Sequence, residues 1–199
     1  MRPIDEFQQV RSDLFFWQGY EPAVKTDLSC AALATRAGLI FIDPLPLASD
    51  ALAELTENFS PAAIVLTNAN HERAAEALAK RFGGIPIHAH RDARGEIAAT
   101  HWHEDDETIL ENVRLVHLPG FAKGEIALHR GDYLLVGDAL INLPPHGFAM
   151  LPEKYCENAK LARASLQKLL ALSFNLITFA HGLPIVSGAR ERLETLLGT

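Results

Sequence analysis

The chain has 199 residues, 48% of them hydrophobic and 22% charged, which is enough apolar matter for one sizeable core and too little charge for long disorder. Eighteen Lys and Arg stand against twenty-five Asp and Glu, a net charge of −7. With no run of Lys and Arg to offset that sign, nucleic acid and anionic membrane surfaces are excluded as expected partners.

No stretch has signal-peptide or bilayer-spanning character, so a cytoplasmic protein is expected. Cys30 and Cys156 lie far apart with no Cys-x-x-Cys partner. A disulfide stays open, and two thiols in a reducing compartment is the simpler reading.

Asp13–Gly19 and Asp27–Arg36 are rich in β-branched and aromatic residues and read as strands. Gly38–Asp43 is a short apolar run closed by Pro44, as expected of a strand buried on both faces. Ser49 or Asp50 is placed to cap a helix running to about Asn58. Pro61–Leu66 reads as the next buried strand, and a polar segment, Thr67–Arg73, follows it. Helix signals resume over Ala74–Lys80 and stop at Gly83-Gly84. Ile85–His90 is then a strand, so the first half alternates strand and helix in the manner of a sheet covered by crossovers.

Beyond residue 90 the pattern weakens. Arg91–Glu111 is polar, and its acidic run at Glu104–Glu107 reads as a solvated loop. Val113–Leu118, Gly124–His129 and Asp132–Val136 are expected strands. Asp138–Pro152 reads as an irregular Pro- and Gly-rich loop. A long amphipathic helix is expected over Glu153–Leu172, a strand over Asn175–Phe179 and a last helix over Ser187–Leu197. No repeat or linker divides the chain, so residues 1–199 are expected to form one domain.

Four short marks occur in order along these elements. They are Leu39-Ile-Phe-Ile-Asp43, Ile64-Val-Leu-Thr67, His117-Leu-Pro-Gly120 followed by Gly124-Glu125, and Leu135-Val-Gly-Asp138 followed by Ala180-His181-Gly182. Together they resemble the metallo-β-lactamase superfamily over nearly the whole chain. The resemblance implies an α/β fold in a four-layer αββα sandwich. It also implies a His-x-His-x-Asp-His loop that, with a His after Pro-Gly, an Asp after Gly and the His of His-Gly, holds two zinc ions.

Position by position, that loop is overwritten. Asn68 and Asn70 replace its first two His, Glu72 its Asp and Arg73 its last His, and Phe121 stands where the His after Pro-Gly belongs. Only Asp138 and His181 match. Amides are weak zinc ligands and a guanidinium is none, so two-zinc hydrolysis is not expected. Arg73 is expected to stand in for metal by pairing with Asp138, Glu72 or both.

Two readings follow. In the favoured one, no metal is bound, and Asn68, Asn70, His71, Glu72, Arg73 and Phe121 line a cleft for a small polar molecule or a protein partner. In the other, the chain is a hydrolase of esters, thioesters or phosphodiesters. It would use one rebuilt zinc, iron or manganese site from His71, Glu72, Asp138 and His181, or an Asp138–His181 acid/base pair. Local hydrogen bonding is the simpler role for His71. The pairs His88/His90 and His101/His103 share strand faces but lack a third ligand with a defined turn. His129 is expected to be exposed, and His146 falls in the loop between Asp138 and the long helix.

Overall fold

A computed structural model describes residues 1–145 and 147–198. The expected His146 position therefore lies outside the described residues. The first half carries β1 (Gln8–Arg11), β2 (Leu14–Glu21), β3 (Thr26–Thr35), β4 (Gly38–Ile42), α1 (Ser49–Glu57), β5 (Pro61–Val65), α2 (Ala75–Arg81), β6 (Ile87–His90) and β7 (His101–His103). The second half carries β8 (Thr108–Ile109), β9 (Val113–His117), β10 (Ile126–Arg130), β11 (Tyr133–Val136), β12 (Leu140–Leu143), β13 (Gly147–Met150), α3 (Ala159–Leu166), β14 (Leu176–Thr178) and α4 (Ala189–Leu197).

β1 to β7 form one sheet in sequence order, antiparallel up to β4 and parallel from β4 to β7. A second sheet has the order β14-β11-β10-β9-β8, and β12 and β13 pair as a hairpin. Strand alternation sorts the apolar residues into three cores. Leu39 and Phe41 of β4 and Ile64 of β5 pack outward beneath α1 and α2, through Leu52, Leu55 and Ala79. Ile40, Ile42 and Val65 point the other way, onto Leu115, Ile126, Leu128 and Leu135 of the second sheet. That sheet's outer face (Val116, Ala127, Leu134, Val136) is covered by Ala162 and Leu166 of α3 and Leu193 and Leu197 of α4. The order is therefore helix, sheet, sheet, helix, as expected. No helix among the described residues is long and apolar enough to cross a membrane.

Three local expectations are corrected. The residue before α1 is Ala48, and neither Ser49 nor Asp50 caps it with a side chain. Asp138–Pro152 contains the β12–β13 hairpin, whose β-prone residues Leu140–Leu143 and Phe148 were masked by Pro144, Pro145 and Gly147. The long helix is broken: a 3-10 turn at Glu153–Tyr155 is followed by α3, whose start is set by Asn158 accepting from Leu161 N (3.0 Å), and a second 3-10 turn at Gln167–Ala171 ends it. Gly120 fits against this helix start only because it lacks a side chain; a Cβ would sit 2.2 Å from Ala162 N.

Candidate metal centre

Asp43 follows β4, Thr67 to His71 follow β5, Asp138 follows β11 and His181 follows β14, so the functional side chains gather beyond the carboxyl ends of strands from both sheets. Asp43 takes a left-handed φ of 50°, which Asp tolerates better than most residues. Its buried carboxylate is pinned by Thr67, whose N–H donates to Oδ1 at 2.8 Å and whose hydroxyl donates to Oδ2. Burial works against its charge, but His71, Arg73 and the Thr67 bond prevail and hold Asp43 below the usual carboxylate range.

The loop after Thr67 turns because Asn68 Oδ1 accepts from Asn70 N at 2.8 Å, an Asx turn that presents His71 inward. His71 Nδ1 lies 2.9 Å from Asp43 Oδ2 and 3.0 Å from the Thr67 hydroxyl, and its Nε2 lies 3.2 Å from Asp138 Oδ1. From the opposite wall, His181 Nε2 lies 3.1 Å from the same oxygen while its Nδ1 faces the Asp27 carbonyl at 3.2 Å. Ser29 fixes that wall by exchanging two hydrogen bonds with the Gly182 backbone. Gly182 sits so close to β12 that a Cβ would fall 2.1 Å from the Asn142 carbonyl oxygen.

The outward bonds decide what the inner atoms present. An acceptor behind each ring keeps the proton on Nδ1, which leaves both Nε2 lone pairs facing Asp138 Oδ1. That oxygen is buried and makes no hydrogen bond among the described residues, although two imidazole nitrogens are close. Three electron-rich atoms thus converge with nothing positive between them, an arrangement that needs a cation. A proton is one: burial and Arg73 oppose it, but Asp138 and Asp43 outweigh them and push His71 up to about 9. A metal ion is the other. Two ligands bonded to one tetrahedral zinc through N or O lie about 3.4 Å apart, close to the spacings here. The three donor atoms all lie within 4.8 Å of one another.

Behind them sits a carboxyl that sequence reasoning did not place in the site. Glu125 is fully buried, accepts from Ala139 N at 3.0 Å, and shares the Asn68 amide with Asp138 (2.7 Å to Glu125, 3.2 Å to Asp138). Burial and the Asp138 charge push it up to about 8, which makes it a neutral acid at pH 7. Asp138 goes the other way: burial is outweighed by His71 and His181, and it is held well below the usual carboxylate range. Asp43 and Glu125 were visible as family marks after Ile42 and Gly124, but no ligand pattern singled them out.

Several expected site residues lie elsewhere. Arg73 forms no ion pair with Asp138 or Glu72; it donates to the carbonyls of Ser29 (2.7 Å), Asp43 (3.0 Å) and Ala180 (3.5 Å), tying three chain segments behind the site. The expected charge cluster is therefore absent, because backbone carbonyls meet the guanidinium first. Glu72 points away and accepts from Ala98 N at 2.9 Å, so it cannot join His71, Asp138 and His181 as a ligand. Phe121 is fully buried in the core under α3 and lines no cleft. Asn68 is consumed by its hydrogen bonds, and Asn70 alone of the two amides reaches the cavity that opens onto Asp138 and His181.

His88, His90, His101, His103 and His117 gather at the β6–β7 edge, and His129 meets the Ser173 carbonyl at 2.8 Å. The acidic run there is not merely solvated: Glu104 pairs with Arg91, Asp105 with Lys168, Asp106 with Arg114 and Glu107 with His103. Cys30 and Cys156 are free thiols and belong to different cores.

A sequence profile described as the metallo-beta-lactamase superfamily matches residues 8–199. No curated protein matches. Among solved structures, DIM-1 metallo-beta-lactamase exposed to ceftazidime superposes with a TM-score of 0.78 at 11% identity, over 100% of this chain and 99% of that one. A metallo-beta-lactamase from Pontibacter korlensis gives 0.76 at 12% identity, over 98% and 99%. A metallo-beta-lactamase family protein from Thermus thermophilus gives 0.69 at 19% identity, over 96% of this chain and 80% of that one. With its layers, its site at the strand ends and a profile spanning nearly its full length, the chain belongs to the metallo-beta-lactamase superfamily.

Proposed function

We propose that this protein, acting as one domain over residues 1–199, holds a single divalent metal ion through His71, Asp138 and His181 and hydrolyses a small polar substrate in the adjoining cleft. The observation that carries the reading is the convergence of His71 Nε2 and His181 Nε2, at 3.2 and 3.1 Å, on the buried Asp138 Oδ1, with each Nδ1 turned to an acceptor behind it. The superfamily's usual zinc supports the choice of metal, with iron or manganese as alternatives for a His/carboxylate site. Bound there, an ion supplies a Lewis acid.

The chain's own residues supply the rest. Asp43 and the Asp27 carbonyl hold the two rings in one tautomer, and Arg73 holds the backbone that carries them. The cavity has a volume of about 500 Å³ and mixes Asn70, Lys25 and Thr26 with Ile141, Leu151 and Tyr155. Lys25 and the Asn70 amide suit the anionic or carbonyl end of a substrate with an apolar body. With Nε2 turned to the ion and Nδ1 on the Asp27 carbonyl, His181 would serve as a ligand; only without an ion is it placed to move a proton with Asp138. Two free thiols agree with a reducing, cytoplasmic setting.

Elemental analysis of protein purified without chelator or a His-tag column tests this. The expected result is bound zinc, iron or manganese whose content falls by one equivalent in Asp138→Ala, together with ester, thioester or phosphodiester hydrolysis that Asp138→Ala reduces to background. A second reading, a metal-free binding protein, is favoured by the carboxylates on either side of His71, which accommodate an imidazolium. It predicts no metal at the cleft and no hydrolysis.

A further inference from the structure

The inner faces of the two sheets are lined with aliphatic residues until the β6–β7 edge, where imidazoles take over. In the parallel β6–β7 register His88 stands beside His101 and His90 beside His103, while Ala89 packs into the opposite core. The four histidines therefore share the face turned toward the second sheet. From that sheet His117, at the end of β9, stacks on His90 with ring centroids 3.9 Å apart. Asp92, on the 3-10 turn that follows β6, approaches both: its Oδ2 lies 3.5 Å from His117 Nε2 and 3.8 Å from His90 Nδ1. Nothing in the cleft chemistry uses these groups.

We infer that His90, Asp92 and His117 form a second site, separate from the cleft, for a transition-metal dication such as zinc, copper or nickel. Their donor atoms all lie within 4.8 Å of one another, and two imidazoles with one carboxylate suit these ions. Asp92 Oδ2 lies 3.5 Å from His117 Nε2, near the roughly 3.4 Å expected of two ligands on one ion. His90 Nδ1, 3.8 Å from that oxygen, accepts from Asp92 N at 3.3 Å and must turn to bind. Asp92 is half exposed and leaves a path for entry.

The same edge holds a second group of imidazoles. His103 Nδ1 faces Glu107 at 2.8 Å and its Nε2 faces His88 Nδ1 at 2.8 Å. The buried His88 Nε2, at the far end of this chain of contacts, has no hydrogen-bond partner among the described residues. A chain of hydrogen bonds anchored on a carboxylate thus aligns a further imidazole without giving its outer nitrogen anything to bind.

Zinc titration of the chelator-treated full chain, followed by calorimetry, separates the two sites. Asp92→Asn alters an exposed residue and leaves the fold intact; it is expected to weaken one zinc-binding event by more than about tenfold, the scale seen when even an outer-shell partner of a metal ligand is lost. His117→Gln is expected to abolish that event, and His181→Gln to leave it unchanged. Zinc binding indifferent to both Asp92→Asn and His117→Gln overturns the edge site. Loss of binding in His181→Gln alone would support the cleft reading and reject this one, whereas loss in the edge variants alone would do the reverse.

Discussion

Two clusters in this protein have the same composition, two histidines and one aspartate, and differ in what stands behind them. In the cleft, each imidazole has its Nδ1 tied to an acceptor, Asp43 for His71 and the Asp27 carbonyl for His181, and both Nε2 atoms aim at one buried oxygen. At the edge, His90 and His117 lie nearly parallel, His90 Nδ1 already accepts from Asp92 N, and the carboxylate sits on an exposed turn. The cleft is preorganised by the fold, and the edge must reorient its rings to bind. The comparison teaches that ligand identity is a weaker predictor of a metal centre than the hydrogen bonds that aim the ligands.

The largest effect expected from breaking this difference is at Asp43. Asp43→Asn keeps a residue that tolerates the left-handed backbone but turns an acceptor of three bonds into a poorer one. It should cost about 2–4 kcal/mol in chemical denaturation, because buried partners lose their charge-assisted bonds. Zinc affinity at the cleft should fall by about 10–100-fold with the edge event untouched. Asp92→Asn at the exposed edge should change stability by less than about 0.5 kcal/mol. Equal stability costs at the two positions would contradict the claim that only the cleft is built in.

A smaller effect sharpens the electrostatic side. In chelator-treated protein Glu125 is raised to about 8, so between the ordinary range near 4.5 and that value the folded state holds a proton the unfolded state has released. Stability from this group is present at low pH and withdrawn as pH rises through about 8. His71, raised from 6.5 to about 9, acts with the same sign in a higher window. Asp43 and Asp138, held low, contribute stability above their ordinary range and lose it in acid. Denaturation midpoints should therefore fall from about pH 5 toward pH 9, and Glu125→Gln should flatten the lower part of that decline while leaving the part due to His71. An unchanged slope in the variant would show that Glu125 is ionised in the folded state.

Much of the architecture was legible because its signals are local. β4 and β5 announce themselves as short apolar runs between Gly and Pro or polar residues, and the family marks fall where strands end. The β12–β13 hairpin was hidden because Pro144, Pro145 and Gly147 outweigh its few β-prone residues, and the long helix was overread because amphipathic spacing runs past the Asn158 start. The site was legible only in part. Asp138 and His181 followed from the motif, whereas His71 occupied a non-ligand position and received the simpler reading. Its role depends on Asp43, twenty-eight residues away, and on an Asx turn at Asn68, neither of which a motif encodes. Arg73 misled for the same reason: its charge suggested carboxylates, but the carbonyls of Ser29, Asp43 and Ala180 lie nearer.

The central claim is that a metal ion, rather than a proton, occupies the point between His71, Asp138 and His181. Nitrogen-detected NMR of the His71 ring through pH 6 to 10, with and without one equivalent of zinc in Asp92→Asn protein, tests it most directly. The account predicts that without zinc the ring loses its proton near pH 9. With zinc, Nε2 should stay unprotonated over the whole range, with its shift moved to that of a metal-bound nitrogen. A titration near pH 9 that zinc leaves unaltered would contradict it and return the cleft to the metal-free reading.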